Sequence, residues 1–185
     1  MEIRKAYQKV KLFCGLLYRD EDIIEKVIER LTEKIGEIDL SGGPFPFTFT
    51  KYYCKDMGDN LKRRFVSFKN LVSPEDFYLW KHITNDIEKE FYAGAEKFPR
   101  RVNLDPGYLN LSHIVLLSTK DFYHRIYLGK GIFAEVTLYF EKGMFVSLPW
   151  TYPDYKTESY LEFFTRVRDN YRRQLKNEDV GKSPD

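Results

Sequence analysis

HRIYLGKGIFAEVTLYFEKGMFVSL, residues 124–148, decides the fold class. Two glycine-containing breaks, GKG at 129–131 and EKG at 141–143, separate three runs rich in β-branched and aromatic residues. Such runs predict strands, and their spacing predicts an antiparallel meander. With GKG as a three-residue loop, Leu128 falls opposite Ile132, Tyr127 opposite Phe133, Arg125 opposite Glu135 and Tyr123 opposite Thr137. One face is then aromatic and charged. The other carries Ile126, Leu128, Ile132 and Ala134, with His124 near Val136, and is expected to face the core. Arg125 and Glu135 form a cross-strand ion pair in this register; the same pair would also let Glu135 position Arg125 for a ligand.

Working outward, VKLFCGLLY at 10–18 is a continuous apolar run, which suits a central strand buried on both faces. Asp20, Glu21 and Asp22 favour a helix N-terminus, and Ile23, Ile24, Val27, Ile28, Leu31 and Ile35 recur on one helical face before Gly36 ends it. SGGPFPFTFT, 41–50, reads as a loop feeding an edge strand through Phe45, Phe47 and Phe49, since prolines keep it from a central position. KRRFVSFKNLV, 62–72, is a further strand. Ser73, Pro74 and Asp76 predict a helix start with Ser capping, followed by an amphipathic helix through Phe77, Trp80, Ile87 and Phe91. Asp105, Pro106 and Gly107 predict a turn. Residues 109–120 fit a strand or a short helix, and periodicity does not choose between them. A last helix is expected from Thr157 to about Lys176.

This order predicts an α+β protein: a mainly antiparallel sheet with helices on one face, a split βαβ-like core extended by the C-terminal meander and a final helix. Residues 1–176 read as one globular domain and 177–185 as a frayed tail.

Composition narrows the function classes. In 185 residues, 43% are hydrophobic and 17% aromatic, which excludes a disordered chain, and no apolar run approaches the roughly 18 residues of a membrane span. No signal-peptide core follows the basic N-terminus, so a cytoplasmic setting is expected. Cys14 and Cys54 have no metal or redox spacing and read as reduced thiols. A net charge of +2 gives no whole-molecule field for nucleic acid or anionic membrane, although Lys51, Tyr52 and Tyr53 and the Arg63–Arg64 strand interleave cations with rings. The wealth of Lys, Glu and Arg with few Met and Cys leans toward a thermophilic source.

Polar and aromatic residues concentrate between Arg101 and Tyr155. His124, His113 and Asp105 are the candidates for acid–base work, His because its usual pKa is near 6.5. His82, beside Trp80 on a helix, reads as structural or solvent-facing. Arg101, Asp105, Tyr108, Lys120, Arg125, Tyr127 and Trp150 are the candidates for binding a ligand, within a wider cation set of Arg63, Arg64, Arg100 and Lys130. LPWTYPDY, 148–155, reads as a rigid connector, or as a pocket wall through Trp150, Tyr152 and Tyr155. No metal motif, nucleophile elbow or phosphate loop is present, so no metal and no cofactor are expected.

LDPGYL at 104–109, TKD at 119–121, HRIYLG at 124–129, AEVTL at 134–138 and LPWTYPDY at 148–155, supported by FCGLLY, FPFTFTKYY and LKRRFVSF, resemble the domain-of-unknown-function 4416 family over residues 10 to about 175. The resemblance implies a stand-alone prokaryotic cytoplasmic domain with no activity to carry over, and the GTP-binding label of some members keeps nucleotide binding in view. The leading expectation is a binding module for a small anionic ligand such as a nucleotide, without a P-loop. The alternatives are a metal-independent enzyme with a His/Asp site and a structural or interaction protein.

Overall fold

The computed structural model describes residues 7–180. β1 (Val10–Tyr18) is buried at all nine positions, as its unbroken apolar sequence requires. α1 (Ile24–Lys34), β2 (Ile38–Pro46), a short α2 (Cys54–Met57), β3 (Lys62–Val72), α3 (Tyr78–Glu90) and β4 (Val102–Leu109) follow. β5 (His113–Ser118), β6 (Ile126–Gly129), β7 (Ile132–Glu141), β8 (Met144–Ser147), a 3-10 turn at Pro153–Lys156 and α4 (Glu158–Val180) complete the chain. The sheet order is β2-β3-β1-β4-β5-β7-β6, with β8 also on β7. Every pairing is antiparallel. β3 lies between β1 and β2, which is the split βαβ arrangement, and the meander extends it.

The α+β class and the antiparallel sheet stand, but the helices are divided between the faces. Leu12, Cys14, Leu16 and Tyr18 pack with Ile24, Val27 and Leu31 of α1 and Ile87 of α3. Phe13 and Phe65 point the other way, onto Phe163, Phe164, Val167 and Tyr171 of α4. A strand apolar at both parities must be covered twice, and only the aromatic stripe of α4 is left to cover the second side. α4 runs to Val180, past the expected end near Lys176; residues 181–185 of the expected tail lie outside the described residues.

Local expectations fared unequally. Residues 109–120 divide, with Leu109 ending β4 and His113–Ser118 forming β5; Asn110 Oδ1 accepts from the backbone N–H of Ser112 and His113 at 2.8 Å each and fixes the turn. The edge strand β2 spans Ile38–Pro46, taking in the glycines and prolines expected to form a loop, while Phe47 and Phe49 lie beyond it. α3 begins at Tyr78; Ser73 Oγ accepts from Glu75 N–H in a turn whose Asp76 has φ +54°, so the helix starts after the expected cap.

In the meander Tyr127 does pair with Phe133, but Gly129 pairs with Ile132 and Leu128 is bulged out. The loop is therefore two residues, Lys130 (φ +54°) and Gly131 (φ +79°). Leu128, in the bulge, is 39% exposed, and Ile126, still opposite Ala134 but on the edge strand β6, is 71% exposed, against the expectation that they face the core. A lysine in the left-handed region is strained where Asn is tolerated. Lys130→Asn is expected to stabilise the protein by a few tenths to about 1 kcal/mol in urea unfolding; no gain would show that the loop relaxes around the lysine.

DPG is the largest departure. Asp105, Pro106 and Gly107 lie inside β4, paired with Gly15, Cys14 and Phe13 of β1. Toward β5, however, the ladder stops at Gly107–Leu116. Pro106 brings no N–H to continue it. The strands part on the N-terminal side of Pro106, and a cleft opens there.

Candidate functional site

The cleft has a volume of about 580 Å³ and is lined from β3, α3, β4, β5, β7, the loop after β2 and the connector before α4. Its floor is built on Arg63 of β3, which is 3% exposed. Gly15 makes room for it: a Cβ there would meet Arg63 Nη1 and Phe65 at 3.1 Å. Arg63 Nη1 donates to Asp105 Oδ2 at 2.9 Å, Nη2 lies 3.9 Å from Asp154 Oδ2, and the guanidinium rests over the Phe47 ring. Its Nε is buried with no hydrogen-bond partner among the described residues.

α3 lies on the far face of the sheet, yet Lys81 and Asn85 line this cleft. Lys81 Nζ donates to Leu104 O at 2.6 Å and stands 3.9 Å from Asp105 Oδ1. An ammonium has three N–H groups, so at least one remains for a ligand. Asn103 Nδ2 donates to Asp105 Oδ2 at 2.7 Å, and Arg100 bonds Asn103 Oδ1 and, at 2.8 Å, Glu88 Oε2.

These neighbours set the charge states. Burial works against the Arg63 charge, but Asp105 and Asp154 outweigh it and hold the guanidinium protonated. Burial would likewise raise Asp105, yet Arg63 and Lys81 keep its carboxyl below the usual range. Asp154 goes the other way, because burial pushes it up and Arg63 offsets this only in part. Two carboxylates on one guanidinium thus titrate apart.

At the rim, Lys120 Nζ donates to Tyr52 OH at 2.7 Å, and this bond draws the Tyr52 pKa down. Arg125 is held by Glu135 Oε2 at 2.8 Å, Ser118 Oγ at 2.9 Å and Tyr152 OH at 2.6 Å. Five cations and three carboxylates line the cleft together with Tyr52, Tyr53 and Tyr152.

The model of one protein family, Domain of unknown function (DUF4416), matches residues 8–171. The chain belongs to that family. No curated protein and no solved structure matches it.

In this DUF4416 protein the structure brings together only part of the sequence-predicted site. Asp105, Lys120 and Arg125 line the cleft. Arg101 instead pairs with Asp22 at 3.0 Å and Asp20 at 3.5 Å beyond β1. Tyr108 faces the α3 side, its ring 4.6 Å from Phe77. Tyr127 is exposed at the hairpin, its ring tilted against Phe133, with its OH accepting from Gly131 N–H. Trp150 donates Nε1–H to Val136 O and stacks on His124 at 5.1 Å. His124 in turn bonds Glu135 Oε2 at 2.9 Å, so both rings brace the carboxylate that orients Arg125 and neither lines the cleft. His113 contacts Asn110 Nδ2 at 3.2 Å, and burial lowers its pKa. His82 lies on α3, outside the cleft lining.

Lys81, Asn103 and Asp154 of the DUF4416 floor are not among the sequence-predicted ligand-binding residues, and Arg63 is only in the wider cation set. Two of them carry a signal. Arg63 shares strand parity with buried Phe65, and Lys81 falls between Phe77, Thr84 and Ile87 on the apolar stripe of α3. A cation on a buried face is costly unless paired, and such a position marks a site.

Proposed function

We propose that the cleft binds a small anionic ligand, a phosphorylated compound of nucleotide size or less. The observation that carries this reading is the lining itself: five cationic side chains against three carboxylates, with tyrosine rings to pack on a ligand. The Lys120 ammonium makes no ion pair among the described residues and donates to the Tyr52 hydroxyl, which leaves its charge for an anion at the rim. Nucleotides, GTP among them, fit this reading through ring stacking without a phosphate loop. A cytoplasmic setting agrees with the free thiols of Cys14 and Cys54, and among the described residues no helix is long and apolar enough to cross a membrane.

Thermal-shift measurements with GTP, ATP and a set of sugar phosphates test the reading. A true ligand at a hundred times its Kd stabilises by about 2.7 kcal/mol, and no shift with any of them removes the proposal. Lys120→Ala is expected to weaken the ligand about ten- to a hundredfold, the loss of one charge-assisted hydrogen bond. Arg101→Ala, outside the cleft, is expected to leave affinity unchanged.

A further inference from the structure

We propose that the cleft is a cofactor-independent proton-transfer site, in which Asp154 removes a proton from the carbon beside the carbonyl of a phosphorylated hydroxycarbonyl compound while Lys81 stabilises the resulting enolate oxygen. The inference rests on the anion-binding reading and names the chemistry of the same cleft. Four features of the floor lead to it.

Asp154 is 4% exposed, lines the cleft and makes no direct side-chain hydrogen bond within the floor; the nearest Arg63 nitrogen is 3.9 Å away. Beyond the backbone N–H groups of Asp154 and Tyr155, its carboxylate keeps lone pairs for a ligand. Burial that raises its pKa makes it a stronger base than Asp105, whose Oδ2 already accepts from Arg63 and Asn103. Lys81 has an N–H beyond those directed at Leu104 O and Asp105, and the buried Nε of Arg63 has no hydrogen-bond partner among the described residues. Asp105 positions both cations and need not touch the substrate.

The placement of the two cations favours one transition state over another. Hydrolysis of a glycosidic bond between two carboxylates passes through a cationic, oxocarbenium-like transition state. Arg63 and Lys81 would oppose that charge. Enolisation instead develops negative charge on oxygen, which the buried, fixed cations Arg63 and Lys81 stabilise. Lys120 and Arg125, at the rim, hold the phosphate end and so leave the carbonyl end to the floor.

The electron and proton count closes without a co-reactant. The Asp154 carboxylate takes the proton from carbon, the C–H electron pair becomes the C=C bond of an enediol, and the carbonyl π pair moves to oxygen beside the Lys81 ammonium. Lys81 gives that oxygen a proton and takes one from the neighbouring hydroxyl. Asp154 returns its proton to the adjacent carbon, which yields the isomeric carbonyl compound.

The test uses the full chain in D2O with dihydroxyacetone phosphate, ribulose 5-phosphate and fructose 6-phosphate, following loss of the carbon-bound proton signal by NMR beside a thermal-shift measurement of each probe. The expected result is protein-dependent exchange with at least one probe, lowered about 10²- to 10⁴-fold in Asp154→Asn with its thermal shift by that probe retained. Asp154→Glu, which restores a carboxylate, is expected to recover part of the rate and controls for misfolding of the Asn variant. A shift without exchange for all three probes overturns this proposal and leaves anion binding standing. No shift and no exchange overturns this proposal as well, and the screen of the wider anion set then decides the binding reading. Exchange at the wild-type rate in folded Asp154→Asn overturns the assignment of the base.

Discussion

Asp105→Ala is expected to lower stability by about 3–5 kcal/mol, seen as a fall in the urea midpoint with an unchanged slope. The cause is the charge left behind. Arg63 is 3% exposed and takes its direct carboxylate bond from Asp105, while Lys81 has the same carboxylate at 3.9 Å. Asp154, 3.9 Å from the guanidinium, is too far to replace a 2.9 Å bond. The exposed Arg101–Asp22 pair gives the contrast, and its removal is expected to change stability by less than about 1 kcal/mol. Similar losses at both sites would show that the cleft floor is solvated and that its ion pairs count no more than surface ones.

The same residue sets a pH dependence. Because the folded pKa of Asp105 lies below its unfolded value, the unfolded chain takes up the proton first as pH falls. The stability Asp105 contributes is therefore full above the unfolded value of about 3.9 and is lost as pH drops through its folded pKa. Asp154 has a raised folded pKa, so its contribution is present in acid and is lost as pH rises through that pKa. Asp105→Ala is accordingly expected to lose less stability between pH 4 and pH 2 than the wild type does. Equal acid slopes in the two proteins would contradict the assignment.

Hydrophobic pattern made the scaffold legible in the sequence. β1 reads as a strand buried on both sides, the spaced glycines mark the meander, and the order of elements gives the split βαβ-like core, whereas β4 stands where a turn at Asp105–Gly107 is expected. The cleft was less legible because it arises where pairing fails. Asp105 and Lys120 stood out by residue type, but what joins them is the break in the β4–β5 ladder, and ladder length is not written in local periodicity. Histidine is a candidate by its usual pKa, but His113 and His124 are both engaged elsewhere. The deeper signal was an arginine and a lysine at apolar positions of a strand and a helix. Such residues break the local pattern, and departures from pattern are where function is to be sought.

Gly107→Ala is the strongest test of the strand that replaced the expected turn. In a turn, glycine is kept for its positive φ, and alanine costs mainly strain. Within β4 the requirement is space. A Cβ at Gly107 would stand 2.4 Å from Phe13 Cζ and 2.5 Å from Val115 O. Phe13 is 1% exposed and packed edge-on against Phe164, and Val115 O belongs to backbone that pairs in the β5 ladder, so neither can withdraw cheaply. Alanine in an extended segment with free space would instead stabilise by about 0.4–1 kcal/mol through the unfolded chain. Here the overlap reverses that sign, and a loss of about 3 kcal/mol is expected in urea unfolding, with β4 and β5 pushed apart where their ladder is only three pairs long. Hydrogen exchange of the Tyr108 and Leu109 amides should rise in parallel, since these residues carry the rest of that ladder. A stable variant with unchanged exchange would return DPG to the surface as a turn and remove the parting of β4 and β5 on which the cleft depends.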